Sequence, residues 1–257
     1  MSLIATIPFF CHRRSCAGMR PVLEAGAFIA LGLALAGCGH MTGGLESPAP
    51  PPSAAPVAGR PPAPSAKTNR VETGGAWRSL FDGKTLEGWA VTDFAGRGDV
   101  TVEDGKIVLE NGVMTGVNWT NAGVLPLINY EIALDAMRVD GSDFFCGLTF
   151  PVKEDPCSFI VGGWGGGVVG LSSLDGQDAA NNDTTKYMNF DNGRWFAIRV
   201  RVTAERIQCW IDGDKVVDAE TKDRRISIRP EVEASRPLGV AAWSTKAALK
   251  NIRIRKL

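Results

Sequence analysis

Apolar and polar residues alternate at period two along the C-terminal part of the chain, most cleanly between Arg194 and Ala219. Ile198, Val200 and Val202 alternate with Arg199, Arg201 and Thr203, which predicts a strand with one face on a core and the other in water. A second run, 207–211, follows a short Thr-Ala-Glu turn. Asp212-Gly213 then reverses the chain into Lys215, Val216 and Val217, because Asp-Gly readily takes the positive φ of a tight hairpin. This antiparallel meander has a single apolar face, so it needs a second layer to pack on. Residues 100–109 predict another hairpin, turning at Asp104-Gly105. Over 130–139, Tyr130, Ile132, Leu134 and Ala136 alternate with Glu131, Ala133, Asp135 and Met137, and further strands are predicted over 144–150, 158–163, 168–171, 238–243 and 249–256. No amphipathic helix of useful length interrupts them. The expected class is all-β, a two-sheet antiparallel sandwich of jelly-roll type.

The N-terminal pattern is different. An apolar run from about Ala25 to Gly37 follows Arg13, Arg14 and Arg20, as in a secretory leader. Leu35-Ala36-Gly37-Cys38 resembles the lipobox of bacterial lipoproteins, which implies cleavage before Cys38 and a lipid on its sulfur. The alternative is a short membrane-spanning helix, but a run of about 14 residues falls short of the roughly 20 that a bilayer requires. Met19 would open a leader of ordinary length, so residues 1–18, with Cys11, His12 and Cys16, are not read as chemistry. Residues 39–70 hold Pro48, Pro50, Pro51, Pro52, Pro56, Pro61, Pro62 and Pro64 among Ala, Ser and Gly, a composition that favours polyproline II or coil. That segment reads as a spacer carrying the solvated His40, with a proline-rich ligand for a partner domain as the alternative. The expected organisation is a signal peptide over 1–37, a lipidated cysteine and Pro/Ala-rich linker over 38–70, and the jelly-roll domain over 71–257. The expected location is the bacterial cell envelope, with the domain outside the cytoplasm.

The 28 Lys and Arg residues balance 28 Asp and Glu, and no basic cluster with interleaved aromatics appears, so a nucleic-acid partner is not expected. Lys250, Arg253, Arg255 and Lys256 surround Ile252 and Ile254 and read as a solvated strand face. Of the domain cysteines, Cys146 and Cys157 lie in consecutive predicted strands and are the expected disulfide in an oxidising compartment, with three buried thiols, Cys209 included, as the alternative. No Cys or His spacing fits a zinc site.

Trp77-Arg-Ser-Leu-Phe81-Asp82-Gly83-Lys84-Thr85-Leu86-Glu87-Gly88-Trp89 resembles the opening of the 3-keto-disaccharide hydrolase domain family. Val102 to Gly105 with Ile107, Trp210-Ile211-Asp212-Gly213 and the ending Lys250 to Arg255 agree in order. The resemblance implies a concanavalin-like sandwich whose concave sheet binds sugars, sometimes with hydrolysis of glycosides oxidised at C3. Asp82 and Gly83 read as turn chemistry, with Asp82 as an acid or base the alternative. The chain departs from the family pattern where Pro151 replaces an arginine, where Ile160 to Gly167 replaces a strand with Glu and Gln, and where Trp243-Ser244-Thr245 replaces Gln-Asp-His.

Around Gly162 to Gly167 the glycines suggest a flat sheet face on which Trp164 and Trp243 stack a pyranose, with Gln177, Asn181 and Asp183 hydrogen-bonding its hydroxyls. The alternative leaves both tryptophans in the core. Asp143, Glu154, Asp175 and Asp178 are the candidate catalytic acids, although the Glu-x-Asp-x-x-Glu motif of laminarinase-type sandwiches is absent. A 3-keto sugar needs only one base, because the ketone acidifies the neighbouring C–H. No cofactor is expected; a calcium ion on Asp175, Asp178 and Asp183 is the conceivable exception, since oxygen ligands suit it. The expected function is an envelope-anchored hydrolase of 3-keto-glycosides or a related glycan, and the alternative is a non-catalytic, lectin-like carbohydrate-binding module. The expected partners are carbohydrate and, through the lipid on Cys38, the membrane.

Overall fold

A computed structural model describes residues 74–257 apart from 122 and 124. The leader, Cys38 and the linker expected before residue 71 lie outside the described residues. The first of two antiparallel sheets runs in the order β13 (Asp214–Glu220), β12 (Arg206–Ile211), β11 (Trp195–Val202), β6 (Tyr130–Gly141), β15 (Thr245–Lys256), β4 (Lys106–Leu109), β3 (Val100–Glu103), and β1 (Arg78–Ser79) also pairs with β15. The second runs β10 (Lys186–Tyr187), β9 (Val168–Ser172), β8 (Asp155–Gly163), β7 (Cys146–Val152), β14 (Gly239–Trp243), β5 (Met114–Trp119), β2 (Trp89–Val91). A short 3-10 helix, Pro230–Ser235, packs on β5 and β14. The expected sandwich is therefore the observed one.

The alternation explains the core. Tyr130, Ile132, Leu134 and Ala136 of β6 and Ile198, Val200 and Val202 of β11 meet Leu148, Phe150, Phe159, Val161, Val169, Leu171 and Val240 from the other sheet, all buried. Each large side chain so placed contributes about 1.5–3 kcal/mol relative to exposure. The Tyr130 hydroxyl donates to the Pro151 carbonyl and links the sheets through their core. At the N-terminal turn, Asp82 Oδ1 accepts from the Lys84 and Thr85 amides at 2.8 Å, and its other oxygen accepts from Thr85 Oγ1 at 3.0 Å. Those bonds stabilise the ionised form and hold the Asp82 carboxyl below the usual range, so this residue is occupied by the turn. Trp89 donates from Nε1 to the Leu80 carbonyl at 2.7 Å and meets Trp119 edge-on.

Two expectations are corrected. Arg255 does not lie on a solvated face: it is 7% exposed and donates from Nε at 2.6 Å to the fully buried Glu131. The register sets Glu131 opposite both Arg201 and Arg255, and its carboxylate also accepts from Arg199 at 2.9 Å and Arg201 at 2.7 Å. Period-two reading showed which residues leave the core, but neighbouring strands decided which of them bury one another. Cys146 and Cys157 are not bridged; both are free and buried, as is Cys209. Cys157 faces Phe150 and Cys146 faces Val161, so the two sulfurs are offset by four residues along the ladder. That offset is about 13 Å at strand rise, too far for a disulfide. Burial pushes the Cys146 and Cys157 thiols up to about 12.

Candidate functional site

The outward face of the second sheet is ordered by its register. Asn118, Gly239, Thr149, Ser158 and Ser172 lie opposite one another across β5, β14, β7, β8 and β9, forming a polar row. Gly116, Ala241, Gly147, Ile160 and Gly170 form the next row, in which the glycines leave space for whatever packs above them. Phe144 occupies that space over Gly147, and Ala179 does so over Gly170. Val232 of the 3-10 helix packs with Met114 and Ala241 at one side, while Ala179 packs with Ile160 and Val168 at the other.

Between these two coverings an open cleft of about 240 Å³ remains. Its base holds Ser158, Ser172 and Ile160; Phe144, Trp164 and Trp243 supply aromatic walls; Asp143, Arg229 and Glu231 bring charge. Ser158 Oγ shares a hydrogen bond of 2.8 Å with Thr149 Oγ1, whereas Ser172 Oγ is buried and has no partner among the described residues. A buried hydroxyl without a partner is uncommon and suits a ligand's polar group.

Trp164 was expected on a flat glycine face but sits in the turn between β8 and β9, with φ 49° and 44% exposure. A left-handed conformation costs a non-glycine residue about 1–2 kcal/mol. The glycines of the sheet face are instead Gly116, Gly147, Gly170 and Gly239, with Phe144, Ala179 and Ser235 packed over the last three, while Gly165 to Gly167 continue the turn. Trp243, at the end of β14, is half-buried beside Phe144.

Asp143 is in the cleft and is held there: Oδ1 accepts from the Phe144 amide at 2.7 Å and Oδ2 from the Gly165 amide at 3.2 Å. Glu154 is exposed in the β7–β8 turn, at the opposite end of β8 from Trp164. Asp175 accepts from the Arg225 amide and pairs with Arg224, and Asp183 takes the other nitrogens of Arg224 at 2.9 and 3.0 Å. This pairing holds the Asp183 carboxyl below its usual range. Asp178 accepts from Asn181 Nδ2 at 2.7 Å and from Arg229 Nη1 at 3.0 Å. Gln177 closes a turn with Leu174 through its backbone, and Gln177 and Asn181 are both exposed. Of the nine candidates, the cleft thus gathers Asp143, Trp164 and Trp243, and Asp178 touches it only through Arg229. The three carboxylates considered for calcium are divided between two guanidinium groups, and no cluster of three or more His, Cys, Asp or Glu suited to a metal occurs among the described residues.

Sequence reasoning missed Arg229 and Glu231. Arg229 donates from Nη2 to Glu231 Oε1 at 2.7 Å, which holds the Glu231 carboxyl below its usual range. Both sit at the start of the 3-10 helix, in a stretch without strand alternation, and only an acid just after Pro230 hinted at a helical first turn.

A sequence model for the 3-keto-alpha-glucoside-1,2-lyase-like domain matches residues 76–255. No curated protein sequence matches the chain. Among solved structures, the chain is similar to a candidate glycosyl hydrolase from Parabacteroides distasonis, at 17% identity over 70% of this chain and 94% of that one, with a TM-score of 0.46. It is similar to the carbohydrate-binding module CBM66 from Bacillus subtilis, at 14% identity over 64% and 93% of the two chains, with a TM-score of 0.44. The Crh5 transglycosylase without ligand is similar at 11% identity over 70% and 83%, with a TM-score of 0.49.

Proposed function

The chain belongs to the 3-keto-alpha-glucoside-1,2-lyase-like domain family, and from that premise we propose that it binds a C3-oxidised glycoside in the cleft and cleaves its glycosidic bond. The observation that carries the reading is the convergence of two carboxylates, Asp143 and Glu231, with three aromatic rings over a buried serine pair. A sugar ring has apolar C–H faces and polar edges, and this lining offers both kinds of contact.

The two acids differ in freedom. Asp143 spends both oxygens on backbone amides, which fixes it as an oriented acceptor for a substrate hydroxyl. Glu231 is held chiefly by Arg229 and stays ionised at neutral pH, so we assign it as the base. The C3 ketone acidifies the proton on C2; Glu231 takes that proton, the C1–O bond to the leaving sugar breaks, and Glu231 passes the proton to the leaving oxygen. Water then adds at C1 of the resulting enone and completes net hydrolysis. The guanidinium of Arg229 lowers the basicity of Glu231, a cost that the acidified C–H offsets.

We propose in addition that the lipid on Cys38 anchors the chain to the cell envelope with the domain outside the cytoplasm; the support is the Leu35-Ala36-Gly37-Cys38 sequence. Loss of fatty-acid labelling in Cys38→Ser tests that part. The non-catalytic, lectin-like reading draws on the commitment of Asp143 to the backbone.

The test is incubation of the chain starting at Gly39 with a C3-oxidised α-glucosyl disaccharide, with the parent disaccharide as control, while released reducing sugar is measured. Release from the oxidised sugar that Glu231→Gln abolishes supports the enzyme. Saturable binding without any release assigns the module instead, and neither binding nor release removes the carbohydrate reading.

A further inference from the structure

Among the described residues only two aromatic side chains are exposed, Trp164 at 44% and Tyr187 at 76%. Every other Phe, Tyr and Trp among them is buried or half-buried. Large rings left in water without a packing role commonly mark contact surfaces.

Their placement is not scattered. Tyr187, on edge strand β10, lies directly opposite Val168. Directly opposed residues of an antiparallel pair share a face. Val168 packs with Ile160 and Ala179 on the outward face, so Tyr187 belongs to the same side of the sheet as the cleft. The register also puts the rings at one end of the sheet. Trp243 closes β14 beyond the Ala241–Gly147 pair, Phe144 precedes β7, Trp164 follows β8, and Tyr187 pairs with the first residue of β9. From β14 to β10 there are four strand spacings, so this aromatic row spans about 19 Å. That is longer than two linked pyranose rings.

We propose that Tyr187 is the outer platform of an extended glycan site, so that the cleft takes the end of an oligosaccharide chain whose next rings run along the sheet end past Trp164 to Tyr187. The proposal rests on the cleft being the sugar site and adds its substrate class, a chain of several sugars in place of a disaccharide. Polar groups lie next along the chain: Asn189 and Asp191 are exposed just beyond Tyr187 and, with Gly165 and Gly167 of the tryptophan turn and Arg138 and Gly141 of β6, line a hollow of about 500 Å³ at that end of the sandwich. Tyr187 stacks on a ring face, and these polar side chains meet hydroxyls at its edge.

The experiment is titration calorimetry of the chain starting at Gly39, with Glu231→Gln as the parent background so that nothing is cleaved during the titration, against an α-glucan ladder from the disaccharide to the pentasaccharide, each oxidised at C3 of its non-reducing ring. The parent protein is expected to bind the pentasaccharide about tenfold more tightly than the disaccharide, in line with one added stacking contact. In Tyr187→Ala that ratio falls to about twofold or less, and Tyr187→Phe retains it because the ring remains. A parent ratio near one, or a ratio that Tyr187→Ala leaves untouched, overturns the extended site while the cleft stands. Failure to bind any member overturns both readings.

Discussion

Trp164 offers the sharpest separation of a binding role from a structural one. A tryptophan side chain brings up to about 250 Å² to an interface. At 44% exposure, about 110 Å² of Trp164 is open to solvent. A pyranose stacked on one face would cover about half of that, and at about 25 cal/mol per Å² the contact is worth ~1.4 kcal/mol, tenfold in Kd. Trp164→Ala and Trp164→Gly should therefore each weaken binding of the oxidised disaccharide by about tenfold, measured by calorimetry in a Glu231→Gln background that does not cleave it. Stability should separate the two variants. The packed part of the ring contributes about 1–3 kcal/mol, but φ is 49° and the left-handed backbone costs any side chain about 1–2 kcal/mol, which glycine recovers. In chemical denaturation Trp164→Gly should stay within about 2 kcal/mol of the parent and should exceed Trp164→Ala. Trp119, 8% exposed, is the core control, and its alanine variant should lose about 3–5 kcal/mol. The reasoning is refuted if both Trp164 variants bind within about twofold of the parent, or if Trp164→Gly is destabilised as much as the Trp119 variant.

Three further outcomes are expected. Glu131→Ala removes the carboxylate shared by Arg199, Arg201 and the buried Arg255, and should cost about 3–5 kcal/mol, lowering Tm by about 6–20 °C in calorimetry; a loss below about 1 kcal/mol would show that water reaches the cluster. Arg229 keeps Glu231 ionised below the usual carboxylate range, so the active base and its ion pair persist above its depressed folded-state value and are lost as pH falls through it. The acid limb of kcat/KM should lie below the range of an ordinary glutamate in the parent and move upward in Arg229→Ala; an unmoved limb removes Glu231 as the base. Cys146, Cys157 and Cys209 should resist a thiol reagent at pH 8 in the native domain and all react in denaturant; a native domain lacking titratable thiols after unfolding would restore the disulfide.

Ile198, Val200 and Val202 could be assigned to a core, and Asp104-Gly105 and Asp212-Gly213 to hairpin turns, because alternation and positive-φ preference are local properties that travel with the residues themselves. The opening from Trp77 to Trp89 likewise carried the family, because its turn and its apolar anchors act within a few residues of one another. Asp143, Trp164 and Trp243 were visible as candidates because each carried a side chain suited to sugar or proton chemistry near a predicted strand end.

What joined those three and left Glu154 aside was strand order. Glu154 and Trp164 sit at opposite ends of β8, and nothing in the spacing says which end faces a cleft. Arg229 and Glu231 came from an irregular segment that crosses the sheet, and the grouping of Asp175 and Asp183 around Arg224 linked residues about 40 to 50 positions apart. Glu131 shows the same division most simply: its own alternation placed it outside the core, and only the pairing of β6 with β11 and β15 surrounded it with three arginines and buried it. By itself the sequence determined the all-β class, the hairpins, the apolar faces and the family, since each depends on neighbours in the chain. Tertiary structure decided the cleft, its second carboxylate, the free thiols and the buried charge, since each depends on the register between strands that the chain reaches only after long excursions.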